Sequence, residues 1–412
     1  MRARDAAFGG RVQSTVRAAV LSVALLFCAT PLFAQPALIA SLGRAFNAVS
    51  SIAADATSRQ TTAASIEAEH QFAGERLRVF YEMDAGTFTT PGDWHYSLNS
   101  AGATYRVSFG ASGSNRFYVT GSGTWRANGV DWGTADFRAV GLRANVEMKP
   151  RETATIRFGY RLDKRTFPDL AELDQVEHDG FFSALFNFAT RTTLLGEIHV
   201  GAKSYQASSP IVANAGTNDT MAQQTAGRYG RGMGPRLRVS ALASAANSIR
   251  AEQVSWLARV AQSLTDRTGV TLQLAQRARF GRIPPVLVTT PAAFFDDGVY
   301  DDPFASNAWT VSTRAKRQFE RGVVIEAGAS WAKKDYSGAV PFDVEGLPIA
   351  GALRGDRIVR AGVGGSVPLF AAKTGRLALD LDMGYFLVRH RSNDAFYNYT
   401  SHGAGGGVSI SY

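Results

Sequence analysis

A two-residue rhythm, repeated along nearly the whole chain, constrains the fold more than any other feature. Around residue 140, Val140, Leu142, Ala144, Val146 and Met148 fall on one side, and Arg143, Asn145 and Glu147 on the other. In the next stretch Ile156, Phe158, Tyr160 and Leu162 oppose Arg157, Arg161 and Asp163. Later, Leu377, Leu379, Leu381, Met383 and Tyr385 oppose Asp380 and Asp382. A period of two is that of a β-strand. Such segments cover 42–52, 64–72, 76–84, 94–109, 116–126, 136–149, 153–164 and 180–189 in the first half. The others are 193–205, 253–264, 269–281, 307–319, 322–336, 356–370, 376–390 and 399–412, sixteen in all. A soluble chain of this size would hide the shared apolar face under a second layer. There is no amphipathic helix to do so. A closed sheet with lipid outside and water inside solves the same problem, and neighbouring strands then satisfy every backbone group.

The final strand carries a family resemblance. Ala404, Gly406, Val408, Ile410 and Tyr412 share one face, and Gly403, Gly405, Gly407, Ser409 and Ser411 the other, ending on an aromatic residue. This resembles the C-terminal strand of Gram-negative outer-membrane β-barrels of the porin-like superclass. The resemblance implies recognition of that strand by the outer-membrane assembly machinery, and contact with membrane lipid and lipopolysaccharide. Connection lengths point the same way. Tight turns at 73–75, 150–152, 191–192, 265–268, 320–321 and 371–375 alternate with longer loops near 85–93, 127–135, 165–179, 206–252, 282–306 and 337–355. Outer-membrane barrels pair short periplasmic turns with long extracellular loops and an even strand count. The expectation is therefore an all-β, closed antiparallel transmembrane β-barrel of about 16 strands, with 14–18 as the range. A β-like piece at 236–246 would raise the count to 18 if it spanned.

The N-terminus is read as an address. Arg2, Arg4, Arg11 and Arg17 precede an apolar run at 18–29, and Leu32-Phe33-Ala34 offers a cleavage site before Gln35. That run is too short for the roughly 20 residues a spanning helix needs. Residues 1–34 are read as a signal peptide and 35–412 as the barrel domain. The single cysteine, Cys28, lies in the leader, so a mature chain has neither disulfides nor thiolate metal sites. The net charge of +9 falls to about +6 without the leader and is spread along strands, which sets nucleic-acid binding aside.

Function is read from the polar face. Arg76, Arg78, Arg106, Arg143, Arg157, Arg161, Lys203, Arg259, Arg277, Arg279, Arg314, Lys316 and Arg360 would line a lumen. Glu82, Asp84, Glu147, Asp163, Glu197, Glu326, Asp380 and Asp382 would join them. Such a lining is either a wet pore with a mild anion preference or a set of cross-strand pairs that merely solvate the interior. In the loop 206–252, Arg228, Arg231, Arg236 and Arg238 would form a constriction if the loop entered the lumen; a mobile glycine-rich surface loop is the stronger reading. Asp296, Asp297, Asp301 and Asp302 are a weak Ca²⁺ candidate, because their spacing is not that of an EF-hand and a solvated acidic turn explains them better. Trp94, Tyr96, Trp125, Trp132, Trp309, Tyr336 and Tyr412, near strand ends, suit interfacial girdles. His178-Asp179 and His390 sit near outer strand ends, but no nucleophile motif accompanies them, so no enzyme and no cofactor is expected. Arg354-Gly355-Asp356 is read as the start of a strand.

The sequence thus predicts an outer-membrane pore for passive passage of small hydrophilic solutes, with a homo-oligomer as a fold-level analogy. The alternative is a non-conducting structural, adhesive or export-associated barrel that works through its long loops.

Overall fold

The computed structural model describes residues 36–51, 57–72, 76–88, 95–110, 113–129, 133, 136–169, 171, 174–205, 238–240, 249–281, 286–288, 303–345, 347–371 and 377–411. The leader, the four acidic residues at 296–302 and Arg228, Arg231 and Arg236 lie outside them. The first half of the sheet holds β1 (Pro36–Ser51), β2 (Thr57–Phe72), β3 (Leu77–Phe88), β4 (His95–Phe109) and β5 (Asn115–Asn128). It continues through β6 (Phe137–Arg151), β7 (Ala154–Thr166), β8 (Gln175–Asn187) and β9 (Thr192–Tyr205). The second half holds β11 (Ile249–Thr265), β12 (Thr268–Gly281), β14 (Ser306–Gln318), β15 (Val324–Tyr336), β16 (Gly355–Ala371), β17 (Ala378–Ser392) and β18 (Tyr399–Ser411).

These 16 strands form one closed barrel, with consecutive barrel strands paired antiparallel. Closure is made by β1, which pairs with β2 on one side and with β18 on the other. The remaining described strands, β10 (Arg238–Ser240) and β13 (Val286–Val288), pair with each other in a separate two-stranded sheet. Among the described residues, the β-like piece at 236–246 adds no strand to the barrel sheet, which counts 16. At three residues β10 is far too short to cross a bilayer.

The alternation of connections has a local cause. At one end the turns are tight and use left-handed backbone. Between β14 and β15, Arg321 (φ 61°) and Gly322 (φ 80°) turn the chain, and the Phe319 N–H donates to the Val323 carbonyl at 2.7 Å. Between β8 and β9 the turn residue is Arg191 (φ 62°). Among the described residues all three register shifts fall near this end, and two involve proline: Pro368 lies at the shift in β16, and Pro150 within the Met148–Arg151 shift of β6. A residue with no N–H fits where the ladder is already interrupted.

Packing across the sheet is close beneath Phe80. Gly102 lies opposite Phe80 in the register, and a Cβ there would come within 2.5 Å of both the Phe80 ring and the Gly121 carbonyl oxygen. Glycine is needed here because the aromatic ring fills the space of its side chain. At Gly196 a Cβ would meet nothing within 4 Å. Gly102→Val should therefore lower barrel stability by about 1–3 kcal/mol, whereas Gly196→Ala should leave it near wild type. Urea midpoints in detergent, followed by heat-modifiable gel mobility, would check the contrast.

Candidate functional site

The register assigns every described strand two faces. Outward stand Val140 (69% exposed), Leu272 (55%), Met383 (55%), Ile198 (50%) and Phe158 (43%). Large apolar side chains this open in one continuous band require an apolar medium around them, since water would disfavour each at about 25 cal/mol per Å². Trp125, Trp309 and Trp331 sit in this outer face. Tyr96 and Tyr336 do not join them, contrary to the girdle expectation. Their positions fall in the inward phase, where Tyr96 meets Arg126 at 5.3 Å and Tyr336 is buried beneath Arg354 at 4.3 Å. A shift of one residue at a strand end reverses the face.

Inward, β2 to β9 carry a dense charge network. The buried Glu147 accepts from Arg157 Nη2 at 2.7 Å and lies 3.7 Å from Arg116. Arg161 reaches Glu177 at 2.5 Å, Asp163 at 3.0 Å and Asp179 at 3.7 Å. The His199 ring continues the chain, with Nδ1 2.9 Å from Asp179 and Nε2 2.7 Å from Glu197. Arg78 pairs with Glu69 at 3.0 Å. A cavity of about 760 Å³ opens onto this wall, lined by Glu82, Arg106, Arg143, Arg157 and His199 among others.

The wall from β11 to β16 is poorer in carboxylates. Arg259 donates to the Gln273 amide oxygen at 2.7 and 2.9 Å. Arg277 donates to the Ser306 hydroxyl at 3.0 Å, and Arg279 to the Phe304 carbonyl at 3.2 Å. Arg314 pairs with Glu326 at 3.1 Å. A second cavity, about 1150 Å³, is lined by Arg259, Arg314, Glu326, Arg360 and Asp382. It borders a stretch of β15 to β18 in which six inward positions are glycine, Gly328, Gly362, Gly364, Gly384, Gly405 and Gly407, interspersed with Glu326, Arg360, Asp382 and Phe386.

The long-loop end is partly covered. The loop 337–354 packs on the β17–β18 connection: the Ala395 N–H donates to the Phe342 carbonyl at 2.9 Å, and Asn393 Nδ2 to Leu353 O at 2.8 Å. Beneath them Arg354 lies over the rings of Tyr397 (3.3 Å) and Tyr336 (4.3 Å). It grips Asp356 with two hydrogen bonds, 2.6 and 3.1 Å. The His390 Nε2 lies 3.0 Å from Asp356 Oδ2. Burial alone would lower the Arg354 pKa; the phenols of Tyr336 and Tyr397 and the Asp356 carboxylate outweigh it and hold the pKa well above the usual arginine value. Nearby in kind, Asp136 ends the β5–β6 connection by accepting from the Asn128 backbone and amide N–H groups at 2.7 and 2.9 Å. Burial raises its pKa, and those two bonds oppose the rise.

Sequence reasoning passed over Arg354 and Asp356, reading them as the start of a strand, and did not single out His199. Asp179 and His199 share the inward phase, so the alternation could have paired them. The His178-Asp179 dipeptide is split by that same alternation. His178 faces outward against Tyr160, and Asp179 inward against His199. Neighbours in sequence therefore share no site. Among the described residues no group of His, Cys, Asp and Glu side chains suits a metal ion. Arg238 lies in β10, which belongs to the separate two-stranded sheet.

A closed sheet, apolar outside and charged inside, defines a porin-like transmembrane β-barrel. No family model and no curated protein matches the chain. Among solved structures it is similar to OccK9 (OpdG) of Pseudomonas aeruginosa, with 8% identity, a TM-score of 0.48, and 92% of this chain and 99% of that one covered. It is also similar to OpdL of the same organism (7%, 0.47, 92% and 98%) and to OccAB1 of Acinetobacter baumannii (8%, 0.46, 92% and 96%).

The buried pair at the mouth makes a direct prediction. Arg354→Ala leaves the Asp356 carboxylate buried without its cation and should cost about 3–5 kcal/mol. The double replacement Arg354→Met with Asp356→Leu removes both charges and should recover most of that loss. Thermal unfolding of the three proteins in one detergent would decide it.

Proposed function

We propose that this chain is an outer-membrane pore for passive passage of small hydrophilic solutes, with a mild preference for anions. The observation that carries this reading is the pair of charged cavities enclosed by a barrel whose outer face is apolar. An interior lined by ions holds water, and at 16 strands a barrel is wide enough for an aqueous path. The long-loop end faces the cell exterior and the tight-turn end the periplasm, as in other barrels of this kind. Residues 1–34 act as a cleaved leader and 35–412 form the barrel, with β18 as the segment met by the assembly machinery.

The anion preference comes from cations without a carboxylate partner. On β5 to β7, Arg116, Arg157 and Arg161 are paired with Glu147, Glu177, Asp163 or Asp179. Arg143 has no ion pair with any described residue, and Arg259 is held by an amide rather than an acid. Their field reaches the water column uncancelled. In a wet lumen each such charge is worth at most about 1 kcal/mol to a passing ion.

The mature protein, reconstituted in a planar bilayer, should give stable open steps with anions favoured. Arg143→Gln with Arg259→Gln should lower the chloride-to-potassium permeability ratio by up to roughly fivefold while leaving insertion intact. A heat-modifiable barrel that inserts and never conducts would overturn the pore and favour a barrel acting through its loops, for which the packed mouth at 337–354 would be the first surface to probe.

A further inference from the structure

The outward face of β15, β16 and β17 carries a row of like charges at its long-loop end. Lys333 lies directly opposite Arg357, and Arg357 directly opposite Arg391. Arg389 lies one step lower on the same face, opposite Val359. Their outward phase is that of Trp331, Val359 and Tyr385, which are 42%, 43% and 46% exposed. Lys333 touches Asp335 at 2.9 Å. Arg357, Arg389 and Arg391 are exposed and form no ion pair with a described residue. Like charges directly opposite in a sheet repel one another. Three of them across three strands span about 10 Å, the strand spacing being about 4.8 Å.

What lies below the row is apolar and graded. Trp331 and Val359 form the next cross-strand pair toward the barrel middle, and beneath them Ala329 faces Ala361, with Leu387 on the far side. Two alanines between Trp331, Leu387 and Tyr385 make a shallow apolar track leading down from the cations. Elsewhere on the described outer face at this end, Arg138 faces Trp125 and Thr166, Lys164 faces Val140 and Val176, and Arg250 pairs with Glu252 at 2.8 Å. None of these has a cation opposite it.

We infer that this patch is a docking site for a phosphorylated glycolipid of the outer leaflet, its phosphates on Arg357, Arg389 and Arg391 and an acyl chain in the Ala329–Ala361 track. The inference rests on the proposed orientation in the outer membrane. Cations at a headgroup level attract anionic lipid at about 1 kcal/mol each. Guanidinium groups bind phosphate oxygens in pairs. A phosphate also removes the repulsion that the bare row creates. The order of charge above, aromatic next and small apolar residues below matches a lipid, and a free anion would have no use for its lower half.

The test uses the purified full barrel in detergent micelles and native mass spectrometry with three probes: bis-phosphorylated lipid A, its monophosphorylated form and phosphatidylglycerol. The wild type should retain one bis-phosphorylated lipid in preference to the other two. Arg357→Gln with Arg389→Gln and Arg391→Gln should weaken retention on the order of a hundredfold. Arg138→Gln with Lys164→Gln should not change it. Equal retention by the triple variant, or equal retention of phosphatidylglycerol, overturns the site. If the triple variant fails to give a heat-modifiable barrel, Arg357→Gln alone carries the test, with a loss of about fivefold expected. Flotation with phosphatidylcholine vesicles separates the two readings. A barrel that inserts but shows no lipid preference sinks only the docking site, and one that does not insert sinks the membrane reading on which it rests.

Discussion

The structure depends on the pairing of β1 with β18. A sheet of this length left open would present two rows of unpaired N–H and C=O groups, each costly in hydrocarbon. Residues 39–51 run antiparallel to 399–411, so the first and last strands supply each other's missing ladder. Everything else follows from closure. Because the sheet has no edge, its apolar face can be turned outward around the whole circumference. The polar face is then forced to the inside, where it must find water or partners.

It finds both, unequally. On the β2–β9 wall charges are close enough to neutralise one another, as in the run from Arg161 through Asp179 and His199 to Glu197. On the β11–β16 wall cations rest on amide, hydroxyl and carbonyl oxygens. Such partners fix a guanidinium in place without cancelling its charge. The two walls therefore hold their cations with different kinds of partner.

Much of this architecture was legible in the sequence, for a local reason. Side-chain faces along a strand depend only on a period of two, so β6 and β7 could be read residue by residue. The alternation of tight turns and long loops gave the strand count. What stayed hidden depended on contacts between distant segments. The Arg354–Asp356 pair exists because a loop folds back beneath Tyr397, some 40 residues later in the chain. Strand ends were also blurred: β2 begins at Thr57, seven residues before the alternation becomes apolar enough to see, and Tyr336 turns inward where a girdle position was expected. The glycine-rich inner wall was visible only as scattered glycines until the register aligned Gly328 with Gly362, and Gly364 with Gly384 and Gly405.

That wall has a kinetic consequence for a pore. Conduction requires that a solute bind well enough to enter and weakly enough to leave. The Arg-rich wall supplies attraction. Gly328, Gly362, Gly364, Gly384 and Gly405 present only backbone already committed to the ladder, so they offer a passing molecule neither a hydrogen-bond partner nor a side chain to catch on. On the proposed reading, a solute meets fewer side chains at these glycines than at the charged positions beside them, which shortens its residence there and raises the ceiling on flux.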